Sequence, residues 1–140
     1  MGGKYKNNIG NISSKIEFLT SYKFSIAMEN SEADGYGSEK IVESFLAGTI
    51  PIYYGDYMID EYINPKSFIL IRGVKDMLKK IEYIKKIDNS DKIYRKMLKK
   101  NILINNKNPS IIIKECYEFL MHIFEQDKKL AKRTNRISLN

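Results

Sequence analysis

Residues 22–55 hold two strand-like segments separated by one amphipathic helix, and that order leaves few ways to fold. Tyr22–Glu29 alternates, with Phe24, Ile26 and Met28 on one face and Ser25 and Ala27 on the other. Asn30–Gly37 is a polar loop with two glycines. Ser38 then opens a helix through Ala47, with Ile41, Val42, Phe45 and Leu46 on one face and Gly48 as its stop. Ile50–Tyr54 is continuously apolar and ends at Gly55, as a buried parallel strand would, and Pro51 marks a strand start or an edge. A helix between two strands is the connection that parallel pairing requires. The pattern continues with a strand over Ser67–Ile71 and two basic amphipathic helices, the second capped by Ser90. A short helix over Ser14–Ser21 and a last one from Pro109-Ser110 to about Gln126 complete the set. The expected fold class is α/β, a Rossmann-like parallel sheet with flanking helices. Ligands of such sheets bind outside the carboxyl ends of the strands, which directs attention to Asn30–Lys40.

At 140 residues the chain has room for one domain, expected over 1–126, with a basic tail over 127–140. Its longest apolar runs, Ile50–Tyr54, Phe68–Ile71 and Ile111–Ile113, fall far short of the roughly 18 residues that span a bilayer. The first residues lack the apolar core of a signal peptide. The single cysteine, Cys116, spaced with Ile112, Phe119, Leu120 and Ile123, reads as a small core residue. Twenty-four Lys and Arg against 17 Asp and Glu give a net charge of +7, compatible with nucleic acid, anionic lipid or a phosphate-bearing ligand. Abundant Lys, Ile and Asn suggest an AT-rich genome, which places much of that lysine on solvated helix faces. The basic residues of 75–100, among them Lys75, Lys79, Lys85, Arg95 and Lys99, read as lying opposite the apolar stripes without interleaved exposed aromatics. No nucleic-acid partner is therefore expected. The rival reading is a basic nucleic-acid-binding or membrane-peripheral interaction fragment without catalysis.

The loop over 29–40 leaves a strand and enters a helix whose first turn exposes unpaired N–H groups and the positive end of a dipole. Lys40 would add a full charge for the same anion, Glu39 can accept from sugar hydroxyls, and Tyr36 brings a ring and a hydroxyl. Asn30 offers donor and acceptor. Each also has a plain alternative. Ser38-Glu39 can be simple capping, Lys40 a solvated lysine, Tyr36 a ring on the sheet edge and Asn30 a left-handed turn residue. The loop lacks the glycine spacing of dinucleotide-binding and P-loop motifs.

Taken together, Tyr22-Lys23-Phe24-Ser25-Ile26-Ala27-Met28-Glu29-Asn30-Ser31, then Tyr36-Gly37-Ser38-Glu39-Lys40-Ile41, then Ala47-Gly48-Thr49-Ile50-Pro51-Ile52-Tyr53-Tyr54-Gly55 closely resemble the donor-binding signature of family 10 glycosyltransferases, the α-1,3/α-1,4-fucosyltransferases. Gly2-Gly3 with Asn7-Asn8-Ile9-Gly10, Lys15–Leu19 and Asn64–Ile69 agree as well, so the resemblance covers roughly residues 2–90. Gly37 stands where the family usually has Ile or Val, and Tyr54 where tryptophan is frequent.

The resemblance implies the C-terminal, donor-binding half of a GT-B glycosyltransferase, incomplete and truncated at its N-terminus. The strand–helix unit with a diphosphate-approaching arginine and the acceptor domain are expected to be missing, so the chain alone is expected to be inactive. The implied reaction is inverting transfer of fucose from GDP-fucose to a hydroxyl of N-acetylglucosamine or glucose in a glycan. Carried over residue by residue, Lys40 contacts the diphosphate, Glu39 and Tyr36 the ribose or fucose region, and Asn30 shapes the same pocket. Glu29 and Glu39 are the best carboxylates present, yet no catalytic residue is assigned. No D-x-D occurs in the sequence, so neither a metal site nor a cofactor is expected. The implied location is cytoplasmic, with Lys128–Arg136 as a candidate for peripheral contact with the inner membrane face.

Overall fold

The structure is a computed structural model and describes residues 13–104 and 109–126. It separates into two compact units, Met1–Ile104 and Asn105–Asn140. The basic tail over 127–140 and the segment over 2–10 lie outside the described residues.

Elements of the first unit follow the expected order, with one short helix over Ile59–Tyr62 added where a loop is expected. Helix α1 (Lys15–Leu19) starts at Ser14, whose side chain accepts from the Glu17 N–H. Strand β1 (Phe24–Met28), helix α2 (Glu39–Leu46) and strand β2 (Ile50–Tyr54) form the first crossover unit. Helix α3 (Ile59–Tyr62) and strand β3 (Ile69–Leu70) come next, then α4 (Val74–Asp88) and α5 (Asp91–Leu98), with Ser90 capping α5 through the Ile93 N–H. The sheet is parallel throughout in the order β1-β2-β3, with Ile26 opposite Ile52 and Ile52 opposite Ile69.

The central strand contains Pro51, so the edge reading of that proline is corrected and the strand-start reading holds. Ile50 donates to the Lys23 carbonyl and Tyr54 accepts from Glu29, so alternate residues of β2 face β1. Tyr53 accepts from Ile71, which puts Pro51 and Tyr53 on the β3 side. The paired ladder to β3 begins only at Ile52–Ile69, so the missing proline N–H forfeits no rung.

Two apolar clusters sandwich the sheet. Ala27, Ile41, Tyr53, Ile59, Ile63 and Phe68 pack on the α2–α3 side, where the Tyr53 and Phe68 rings meet edge to face at 6.2 Å. Ile50, Ile69, Ile87 and Met97 pack on the α4–α5 side, joined by Phe24 and Tyr94.

The alternation of β1 holds, but it is the small, polar face that is buried. Ser25 and Ala27 lie under α2, while Ile26 and Met28 are exposed, because α4 and α5 cover only the Phe24 end of this edge strand. Helix α2 is corrected likewise: Ile41 and Ser44 are buried and Phe45 half-buried, whereas Val42 and Leu46 are exposed. Small hydroxyl residues let the helix sit close. The Ser25 and Thr49 hydroxyls are 2.6 Å apart, Thr49 donates to the Ser44 carbonyl, and Ser44 donates to the Lys40 carbonyl.

Tyr83 is exposed on α4 among the lysines, so that face is not free of aromatics. In the second unit, α6 (Pro109–Glu125) carries an exposed Cys116, which corrects its assignment to a core. The described part of that unit is one helix, so it offers the thiol no interior. Among the described residues no helix is long and apolar enough to cross a membrane.

Candidate functional site

Strand β1 delivers Glu29 to the carboxyl end of the sheet, where the loops leaving β1 and β2 meet. The β1 backbone continues one step past Met28, through the Glu29 N–H to the Tyr54 carbonyl at 2.8 Å. This puts Glu29 on the buried face after Ser25 and Ala27, and its carboxylate has 0% exposure. Four donors meet it. The Ser38 N–H and hydroxyl donate to Oε1 and Oε2 at 2.9 and 2.6 Å, the Lys40 ammonium to Oε2 at 2.8 Å, and the Tyr53 hydroxyl to Oε1 at 3.4 Å.

A second buried carboxylate continues the network. The Tyr53 hydroxyl accepts from the Asp56 N–H at 3.2 Å, and Asp56 Oδ1 accepts from the Gly35 and Met58 N–H groups, both at 2.8 Å. Glu29 and Asp56 thus tie the β1–α2 loop at both ends to the sheet and to the β2–α3 loop. Gly55 makes room for this. It sits at φ +151°, and a Cβ there would lie 2.4 Å from the Glu29 Cγ and 2.6 Å from its Cβ.

Charge follows geometry. Burial by itself would raise the Glu29 pKa, but the hydrogen bonds from Lys40 and Ser38 outweigh it and hold the carboxyl below its ordinary 4.5. The same bond to Glu29 raises the Lys40 ammonium above its ordinary range, with the charge of Glu39 and the nearby Tyr36 adding to the effect. Burial pushes the Tyr53 phenol up, and the charges of Glu29 and Asp56 add to it, so the hydroxyl stays protonated.

Helix α2 begins without a side-chain cap, because the Ser38 hydroxyl is turned onto Glu29. The capping alternative for Ser38 is thereby excluded, and among the described residues no side chain caps the first-turn N–H groups of α2. Lys40 is no freely solvated lysine either: its ammonium also donates to the Ser38 hydroxyl at 3.2 Å, which leaves one donor of three.

Of the residues singled out by sequence, Glu39 and Lys40 form the first turn of α2, and Tyr36 lies close enough to act electrostatically on Lys40. Tyr36 and Glu39 are exposed. Asn30 directly follows Glu29 and is exposed. Tyr53 and Asp56 of the network carry no sequence reading as site residues, Ser38 is read only as a helix start, and Glu29 is named only as a carboxylate without an assigned role. A signal for Glu29 was present: the two-residue period of the buried face, Ser25–Ala27–Glu29, brings a charge inside.

Comparison with known proteins bears on this loop. Residues 1–132 match the profile described as "Glycosyltransferase family 10 (fucosyltransferase) C-term". The chain is 39% identical over 103 residues to the alpha-(1,3)-fucosyltransferase FucT of Helicobacter pylori, covering 73% of this chain and 22% of that relative. It superposes on a crystal structure of an alpha1,3-fucosyltransferase with GDP at a TM-score of 0.78 and 34% identity, covering 91% of this chain and 39% of the other. A structure of such an enzyme with GDP-fucose also gives 0.78, at 31% identity, over 95% and 41% of the two chains.

Two outcomes follow from the network. Gly55→Ala forces a Cβ into Glu29 at a backbone angle disfavoured for L side chains, and it should cost about 1–3 kcal/mol in urea unfolding. A loss below about 0.5 kcal/mol would show that Glu29 is free to move aside. The second outcome concerns acid. A carboxyl whose folded pKa is depressed contributes stability that is complete above its unfolded value and is lost as pH falls through the folded one. The urea midpoint of the chain should therefore drop on acidification below about pH 4.5. In Glu29→Gln that acid limb should be shallower, which midpoints measured across the range will show.

Proposed function

The chain belongs to glycosyltransferase family 10, the fucosyltransferases, and on that premise we propose that its β1–α2 loop binds GDP-fucose for transfer of the fucose to a glycan hydroxyl. The observation that carries this reading is the open first turn of α2 beside the half-buried Lys40 ammonium. Unpaired N–H groups at the positive end of a helix dipole and a fixed cation together suit a diphosphate. In this reading Lys40 meets the diphosphate, Glu39 and Tyr36 the ribose or fucose region, and Asn30 the pocket wall. The bound nucleotides of the two similar crystal structures support it. The transfer inverts the anomeric centre, and N-acetylglucosamine or glucose of a glycan is the acceptor. Departing charge falls to Lys40 and the helix N–H groups, and neither metal nor cofactor enters the reading because the sequence contains no D-x-D. A cytoplasmic location, with the basic residues of 128–136 at an anionic membrane face, belongs to the same proposal.

The chain spans 22% of the length of the curated relative described above. We propose that the 140-residue polypeptide by itself binds the donor without turning it over. Supporting this, the two buried carboxylates of the loop region, Glu29 and Asp56, are both held by donors, and Glu29, ion-paired and of lowered pKa, is a poor general base.

Calorimetric titration with GDP tests the site. Lys40→Ala should weaken binding roughly tenfold to a hundredfold, the scale of a lost charge-assisted hydrogen bond. Lys85→Ala, whose lysine pairs with Glu82 on exposed α4, should leave it nearly unchanged. Equal losses would mean general attraction of an anion to a basic chain. Incubation with GDP-fucose and N-acetyllactosamine tests competence: no fucosylated product is expected from the polypeptide alone, and steady turnover would overturn that part.

A further inference from the structure

We propose that Glu29 is a positioning residue for the donor site: it draws the Ser38 hydroxyl away from the α2 terminus and fixes the Lys40 ammonium beside it. The inference rests on the GDP-fucose reading above and concerns a residue that would touch no substrate.

Three observations carry it. A serine at a helix start normally turns its oxygen onto the N–H two or three positions ahead, as Ser14 and Ser90 do in this chain. Ser38 has the same place and an extended backbone, φ −117° and ψ −174°, yet makes no such bond. Its hydroxyl is 2.6 Å from Glu29 Oε2 and donates there instead. Secondly, the same oxygen takes the Lys40 ammonium, so one carboxylate oxygen sets both groups. Lysine has four rotatable side-chain bonds and would otherwise sample many positions. Thirdly, Glu29 cannot drift. Its side chain is wholly buried, the Tyr53 hydroxyl and Ser38 N–H hold Oε1, and Gly55 abuts its Cβ and Cγ.

The consequence is an anion site that the protein keeps open. Without Glu29, Ser38 would cap α2 and consume an N–H group, and Lys40 would swing into solvent. With it, the first-turn donors and the third Lys40 proton stay available. The pair is also neutral overall, so selectivity for a diphosphate comes from where donors point more than from excess charge.

The test separates this from the donor reading by using a readout that needs no nucleotide. Lys40 is acetylated with limiting acetic anhydride across a pH series, and its rate is followed by peptide mass spectrometry beside that of Lys85. In the wild-type chain, Lys40 should react more slowly than Lys85, with a pH profile displaced upward. In Glu29→Gln the Lys40 rate should rise several-fold and its profile move to lower pH, while Lys85 is unchanged. Coincident Lys40 and Lys85 profiles in the wild-type chain would overturn the proposal without any variant having to fold. GDP titration then closes a double-mutant cycle. Glu29→Gln should weaken GDP roughly tenfold, and Lys40→Ala should cost much less in that background than alone. Additive losses in well-folded variants would assign Glu29 a purely structural role and overturn the inference. Failure of the wild-type chain to bind GDP, with the Lys40 profile displaced as expected, would instead sink the donor reading.

Discussion

Burial of a carboxylate sets terms for everything near it. Glu29 has no solvent to share its charge, so each oxygen must find donors inside the fold. The donors come from three separate pieces of chain: Ser38 and Lys40 at the start of α2, Tyr53 in the central strand, and indirectly Asp56 beyond it. Removing the partner of a buried charge is strongly destabilising, because the charge is stranded, whereas the intact pair adds little net stability. The arrangement is thus better understood as a device for specificity of structure than as a source of stability. It dictates where α2 begins relative to β1 and β2, and it leaves no buried side-chain polar atom without a partner among the described residues.

That constraint explains the unusual face of β1. A helix whose start must reach a carboxylate at the strand end has to lie close to the sheet along its length. Large side chains at 25, 27 and 44 would hold it off. Ser25, Ala27 and Ser44 are small, and the hydroxyls of Ser25, Ser44 and Thr49 are hydrogen-bonded to each other or to backbone. The larger residues Ile26 and Met28 then fall on the other face by the two-residue period of a strand. Hydrophobic bulk on one face is here a by-product of closeness required on the other.

The architecture was legible because it depends on patterns that local chemistry writes plainly. Strand–helix alternation, the glycine after α2 and the cap at Ser90 all survive in the structure. What sequence could not supply was which face is buried. For β1 and α2 the larger apolar side chains pointed to the wrong choice, since burial depended on the neighbours each face meets. Cys116 failed for the same reason: helical spacing with apolar residues says nothing about whether a partner covers them. The loop residues Tyr36, Glu39 and Lys40 are legible as candidates because they stand at a strand-to-helix junction, the place that suits an anion. By sequence Ser38 opens a helix, with capping as its plain alternative, and Tyr53 belongs to an apolar run. Their actual roles depend on a contact across nine and 24 residues of sequence respectively, and no local rule encodes that.

The same contacts separate two kinds of positive charge in this chain. Much of the basic charge lies on α4 and α5, where Lys85 pairs with its neighbour Glu82 in water and screening is strong. Such charge raises the local concentration of any anion and selects none. Lys40 contributes nothing to the local net charge, since Glu29 cancels it. What it adds is a donor in a fixed place, three-quarters shielded from solvent at 22% exposure, next to N–H groups aligned by the helix. In a partly dry site, direction is worth more than sum, because a misaligned hydrogen bond there is not replaced by water. A basic chain can therefore hold a selective phosphate site only where some of its charge has first been neutralised and pinned, and the Glu29–Lys40 pair meets both conditions.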